Sequence, residues 1–142
     1  MDCRVDIVFV LDESGSVTST NFALMTSFVS DLVAKLDINS GNTRVGLVTY
    51  SSVVDDTVYG LFHLNKYIMM ASSMQNAINN LRYSGGGTNT AGALQYVRTK
   101  MLKVDKGDRL DVPNAVVVLT DGWSNDWQKT MVCNMMCMIS VA

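Results

Sequence analysis

Val5-Asp6-Ile7-Val8-Phe9-Val10-Leu11 runs directly into Asp12-Glu13-Ser14-Gly15-Ser16. The first seven residues are short, β-rich and nearly continuous in apolar character, which predicts a strand covered on both faces. The next five carry oxygen-bearing side chains at alternate positions. Asp12, Ser14 and Ser16 can turn toward one point, and a carboxylate with two hydroxyls suits a hard divalent cation better than a soft one. Two later segments share this chemistry. Gly85-Gly86-Gly87-Thr88-Asn89-Thr90 follows a helical pattern, and Thr120-Asp121-Gly122 closes the apolar run Val116-Val117-Val118-Leu119.

Between these loops the pattern alternates strand with helix. Phe22, Met25, Phe28, Val29, Leu32, Val33 and Leu36 recur at helical spacing, with Thr18 to Thr20 as cap candidates and Asn39-Ser40-Gly41 as the stop. Arg44 to Tyr50 reads as the next strand, with Gly46 allowing close helix packing. Asp56 to Phe62 reads as a short edge strand reached by a tight turn near Ser51-Ser52. Met74, Ala77, Ile78 and Leu81 mark a second helix, and Thr90 to Leu102 a third, with Leu94, Val97, Met101 and Leu102 on one face. Lys103 to Asp111 forms a charged loop, and Ala115 to Leu119 is the most apolar strand. This order predicts a Rossmann-like three-layer α/β/α domain with a mostly parallel sheet and one antiparallel edge strand. Ligands of such sheets bind at the carboxyl ends of the strands. Asp12 and Asp121 therefore face one crevice if their strands are neighbours.

Composition narrows the function. A chain of 142 residues, 48% hydrophobic, can bury a core of its own. A net charge of −2 and a pI near 5.1 argue against a nucleic-acid binder that relies on a basic face. No run reaches the roughly 18 apolar residues of a membrane span. Asp2 and Arg4 precede a strand that the core needs, so the amino terminus does not read as a signal peptide. Cys3, Cys133 and Cys137 make an odd count, and the Cys133–Cys137 spacing is not that of a zinc knuckle. The expectation there is buried or unpaired cysteines in a Met-rich tail.

Each motif alone has a plainer explanation. Asp-x-Ser-x-Ser commonly makes a capped turn. The triple glycine resembles a phosphate cradle but lacks the Gly-Lys-Ser or Gly-Lys-Thr ending of a nucleotide loop. Ser14 is not within Gly-x-Ser-x-Gly, and the single histidine, His63, belongs to the edge segment, so no general base is placed for hydrolysis. An enzyme is not expected.

Taken in order, the three loops resemble those of the von Willebrand factor type A domain family, where they form a metal-ion-dependent adhesion site. The resemblance covers residues 3 to 126, within an expected domain of 3–142. It implies that Ser14 and Ser16 ligate Mg²⁺ (Mn²⁺ or Ca²⁺ being the alternatives), and that Thr88 does so directly or through water. Asp12 and Asp121 would act largely through bound waters. Glu13, Gly87, Gly122, Trp123 and Asn125 would form the rim that meets the ligand. The implied partner is a protein presenting Asp or Glu, such as collagen or another matrix protein, in an extracellular setting. The competing expectation is a structural module that binds metal-independently through Trp123 or the edge strand.

Beyond Asp121 the likeness weakens. About Asp126 to Met135 remains for a helix and Met136 to Val141 for a strand, so a truncated domain is expected, without the family's last strand and closing helix and without a switch coupled to that helix. In some extracellular members the position of Cys3 pairs with a cysteine after the last helix; a link to Cys133 or Cys137 is one pairing left open here, beside a free thiol or one that pairs outside this chain.

Overall fold

The computed structural model describes residues 4–121 and the backbone of 137–138. Strand β1 (Val5–Asp12) is the centre of the sheet. It pairs in parallel with β2 (Thr43–Tyr50) on one side and β5 (Asn114–Leu119) on the other, and β6 (Cys137–Met138) pairs in parallel with β5. Two short strands, β3 (Val54–Asp55) and β4 (Leu61–Phe62), run antiparallel to β2 at the edge. The spatial order is β3-β2-β1-β5-β6, with β4 also on β2. An open, mostly parallel sheet with helices on both faces is the architecture the alternating pattern predicts.

Side-chain alternation along β1 sorts the core into two layers. Phe9 and Leu11 join Val45, Leu47 and Leu119 beneath α1 (Thr18–Val33) and α2 (Ala71–Asn79). Val8 and Val10 join Val48, Val116 and Val118 beneath α3 (Thr90–Tyr96). Gly46 lies on the α3 side, where a Cβ would come within 3.4 Å of the Met101 terminal carbon. The close approach is thus to the turn that follows α3.

Several expected boundaries move for physical reasons. Helix α1 ends at Val33 and not at Asn39-Ser40-Gly41. The chain unwinds through successive turns, which lets Ile38 become fully buried. Phe22, Met25, Val29 and Val33 form its inner stripe, whereas Phe28 is 50% exposed and stands off that stripe. With Leu24, it flanks a groove of about 500 Å³ that opens beside Asp121. Thr18 takes a left-handed conformation and accepts only a long 3.5 Å bond from Asn21 N–H, so the threonine cap is weak.

The edge pairing comes in two pieces, one before the expected Asp56–Phe62 strand and one at its end: residues 56–59 leave β2, Gly60 O accepts Thr49 N–H at 2.8 Å, and pairing resumes at Leu61. The third helix is also broken. Asn89 caps α3 by accepting from Gly92 N–H at 3.0 Å, but Val97–Met101 continues as a π turn, with Leu102 N–H reaching back to Val97 O at 2.9 Å. Leu94, Val97 and Met101 stay buried throughout.

The apolar reading of β1 passes over Asp6. This carboxylate is fully buried and receives Nε and Nη2 of Arg109 at 2.9 and 2.6 Å. Arg109 also donates to the carbonyls of Val5, Gly41 and Asn42. It thereby joins the charged loop to the amino-terminal end of the sheet, opposite the crevice. The expected helix over 126–135 with Cys133, and the expected 136–141 strand apart from residues 137–138, fall outside the described residues; Cys137–Met138 is strand.

Candidate metal centre

The register brings the three loops to one edge. Leu11 pairs with Leu119 and Asp12 with Tyr50, so β1, β2 and β5 end side by side. Asp12 is fully buried, and each of its oxygens already has a protein donor. Oδ1 accepts Ser14 N–H at 2.8 Å and Oδ2 accepts the Thr120 hydroxyl at 2.7 Å. Two fixed bonds hold this carboxylate in one orientation.

The turn after Asp12 places Ser14 Oγ 3.2 Å from Ser16 Oγ. Ser14 is buried and Ser16 exposed, so the pair spans the surface of the crevice. Tyr83 donates its hydroxyl to Ser14 O at 3.1 Å, which fixes the turn from the second loop.

The glycine loop is tied to both neighbours. Gly15 N–H donates to Gly86 O at 2.8 Å and Gly85 N–H to Glu13 O at 3.1 Å. Gly86 has φ +108°, and a Cβ there would stand 3.3 Å from the hydroxyls of Ser51 and Ser52. Glycine is needed for this close, left-handed crossing. Gly87 N–H donates to Ser52 Oγ at 2.8 Å and Asn89 N–H to Ser51 O at 2.8 Å. Thr88, between them, is buried at the edge of the crevice.

Asp121 follows Thr120 at the end of β5. It is half-buried, and its Oδ1 is enclosed with no hydrogen-bond partner among the described residues. A buried carboxylate oxygen without a donor is costly unless a cation or water meets it. Together with the Ser14–Ser16 hydroxyl pair, this is a donor set of oxygens alone, and it fits a hard divalent ion. The described residues contain no group of three or more His, Cys, Asp or Glu side chains suited to a metal, so a thiolate or imidazole centre is not formed there.

Glu13 is corrected from rim to interior. It is only 1% exposed, and its carboxylate accepts Ser84 N–H at 3.1 Å. Burial pushes its pKa up, with the Ser84 hydrogen bonds opposing. It braces the first loop against the second and does not face a ligand. Gly87 is partly exposed, while Gly122, Trp123 and Asn125 lie outside the described residues. His63 lies beside Asp105 and Lys106, near the far end of the sheet, and burial lowers its pKa.

Four contributors were not singled out from the sequence: Thr120, Tyr50, Tyr83 and the Ser51-Ser52 pair. A readable signal existed, since Tyr50-Ser51-Ser52 places hydroxyls after a second buried strand in the same way as Ser14 and Ser16 follow the first.

An open, mostly parallel sheet with an oxygen-lined crevice at its carboxyl edge defines a Rossmann-like α/β domain. The family model for the von Willebrand factor type A domain matches residues 6–136, and the chain belongs to that family. Among curated relatives, the mouse collagen alpha-4(VI) chain is 41% identical over 123 residues, covering 85% of this chain and 5% of its own length. Human matrilin-1 is 37% identical over 123 residues, covering 86% of this chain and 24% of its own. The chain thus spans under a quarter of these relatives. Proximal thread matrix protein 1 from the mussel byssus, with a zinc-occupied MIDAS motif, superposes with a TM-score of 0.80 at 24% identity, over 98% of this chain and 38% of that one. Manganese-loaded TRAP protein of Plasmodium vivax gives 0.81 at 17% identity, over 99% and 58%. At these identities the two structures speak for the fold.

Proposed function

We propose that this domain is a divalent-cation-dependent protein-binding module, in which an acidic side chain of the partner completes the coordination. Ser14, Ser16 and Thr88 would hold the ion through hydroxyls, with Asp12 and Asp121 acting largely through water. Mg²⁺ is the expected ion, and Mn²⁺ or Ca²⁺ the alternatives. When bound, the cation supplies an electrophilic position that attracts a carboxylate. The chain's own part is to hold the donors still and to leave the charge incompletely neutralised.

The observation that carries this reading is the enclosed, unpartnered Oδ1 of Asp121 beside the fixed Asp12 and the Ser14–Ser16 hydroxyl pair. The zinc and manganese found in the byssus and TRAP proteins lend support, since the same fold accommodates divalent ions there. Collagen and matrilin relatives favour a matrix protein as partner and an extracellular setting. Among the described residues no helix is long and apolar enough to cross a membrane. A non-enzymatic role is the expectation that goes with this reading.

A metal-independent mode through the sheet edge has one observation in its favour: Val58 and Val53, beside β3, are 85% and 71% exposed. One experiment separates the two. Binding to immobilised collagen and matrilin preparations is measured with Mg²⁺, with EDTA, and with Asp121→Ala. Loss in both EDTA and the variant supports the cation-dependent mode. Binding unchanged in both overturns it in favour of the edge.

A further inference from the structure

Beneath the crevice lies a line of buried hydroxyls that the ligand set does not use. Tyr50, the last residue of β2, is fully enclosed, and its phenol oxygen stands 2.9 Å from Thr90 Oγ1. The same phenol also meets the Thr120 hydroxyl. Thr120 in turn donates to Asp12 Oδ2 at 2.7 Å. Thr90 and Thr120 are 2% and 4% exposed, so water does not substitute readily along this line. Its members come from β1, β2, the end of β5 and the start of α3.

The carboxylate at one end orders the protons. An ionised carboxylate only accepts, so Thr120 spends its single hydroxyl proton on Asp12. Tyr50 must then donate to Thr120, and Thr90 to Tyr50. Every hydroxyl proton along the line points toward Asp12. Burial and the neighbouring Asp12 charge push the Tyr50 pKa up and keep the phenol in its donating form. Hydrogen bonds aligned in this way polarise one another and strengthen the terminal bond.

We infer that Tyr50 is a positioning residue for the cation, its hydroxyl joining Thr90, Thr120 and Asp12 into one ordered chain. This rests on the cation-binding reading above. Thr90 lies two residues beyond Thr88, and Thr120 immediately precedes Asp121. The phenol therefore sets the spacing between two ligand-bearing loops while the chain fixes the rotation of Asp12. Tyr50→Phe removes one oxygen and leaves the packing of the ring intact. It parts the two loops and leaves Thr90 and Thr120 short of a partner. Supporting residues of this kind change metal affinity by roughly 10–100-fold when removed.

The test is calorimetric titration of the protein with Mn²⁺ alone, on wild type, Tyr50→Phe and Thr90→Val, with metal-free melting recorded in parallel. The expected result is affinity about tenfold weaker in Tyr50→Phe and a smaller loss in Thr90→Val, which removes only the first donor. If both variants melt lower but bind Mn²⁺ as tightly as wild type, the hydroxyl is merely structural and the inference fails. If Tyr50→Phe does not fold, Thr90→Val decides: unchanged affinity overturns the inference and weakened affinity supports it. A wild type that binds no Mn²⁺ overturns the cation-binding reading, and the inference with it.

Discussion

Replacing Arg109 by Ala tests how the sheet holds its amino-terminal end. The guanidinium is 14% exposed and Asp6 is fully buried, with the closest N–O contact at 2.6 Å. Three backbone carbonyls, those of Val5, Gly41 and Asn42, also depend on it. Removing one member of a buried pair strands the other charge, at a cost of about 3–5 kcal/mol. Against a typical total of about 5–15 kcal/mol, that is a large share. For a domain of this size it corresponds to a melting point lower by roughly 10–17 °C. Urea unfolding of wild type and Arg109→Ala measures the difference directly. Because the cost arises from the stranded carboxylate, Asp6→Leu combined with Arg109→Met should recover much of it. A single-variant loss under about 1 kcal/mol, or a double variant no better than the single, refutes the reasoning.

Other perturbations have equally definite outcomes. Gly107 has φ +101°, and a Cβ there would lie 2.5 Å from Asn65 N, so Gly107→Ala should cost at least the roughly 1–3 kcal/mol of backbone strain, measured by denaturant midpoint. His63 is held below its ordinary pKa, first by burial and then by Lys106, with Asp105 opposing. The unfolded chain therefore binds the proton more readily, and the stability tied to neutral His63 is present above pH 6.5 and lost as pH falls through that value toward the folded pKa. His63→Gln should flatten this part of the melting profile between neutral and mildly acidic pH; an unaltered slope would count against the burial argument.

Much of this fold is legible in one dimension because buried parallel strands are written as unbroken apolar runs. Val8 to Leu11 and Val116 to Leu119 needed no knowledge of their partners, and they align in the sheet as neighbours. Two of the three polar loops were legible for the same reason, since Asp12 to Ser16 and Thr120 to Gly122 each begin where such a run stops. Long-range polar contacts were not. Asp6 sits inside an apolar run and meets Arg109 across 103 positions, a pairing that no local pattern encodes. The family likeness implies a rim position for Glu13, yet it is buried and accepts Ser84 N–H from the segment before the glycine loop. Phe28 fits a helical repeat but falls off the inner stripe of Phe22, Met25, Val29 and Val33, beside the groove that it lines with Leu24 and Met25. The edge strand failed for a related reason: β-propensity runs through Asp56–Phe62, while pairing to β2 is interrupted there.

The central claim is that Asp121 belongs to a cation site, and Mg²⁺-dependent stability tests it most directly. Thermal unfolding is followed while Mg²⁺ is titrated into wild type and Asp121→Ala. An ion bound only by the folded state adds about 2.7 kcal/mol at a hundredfold excess over its dissociation constant. The wild-type midpoint should therefore climb with Mg²⁺ concentration while that of Asp121→Ala stays flat. A wild type that does not respond at millimolar Mg²⁺, or a variant that climbs equally, would contradict the account.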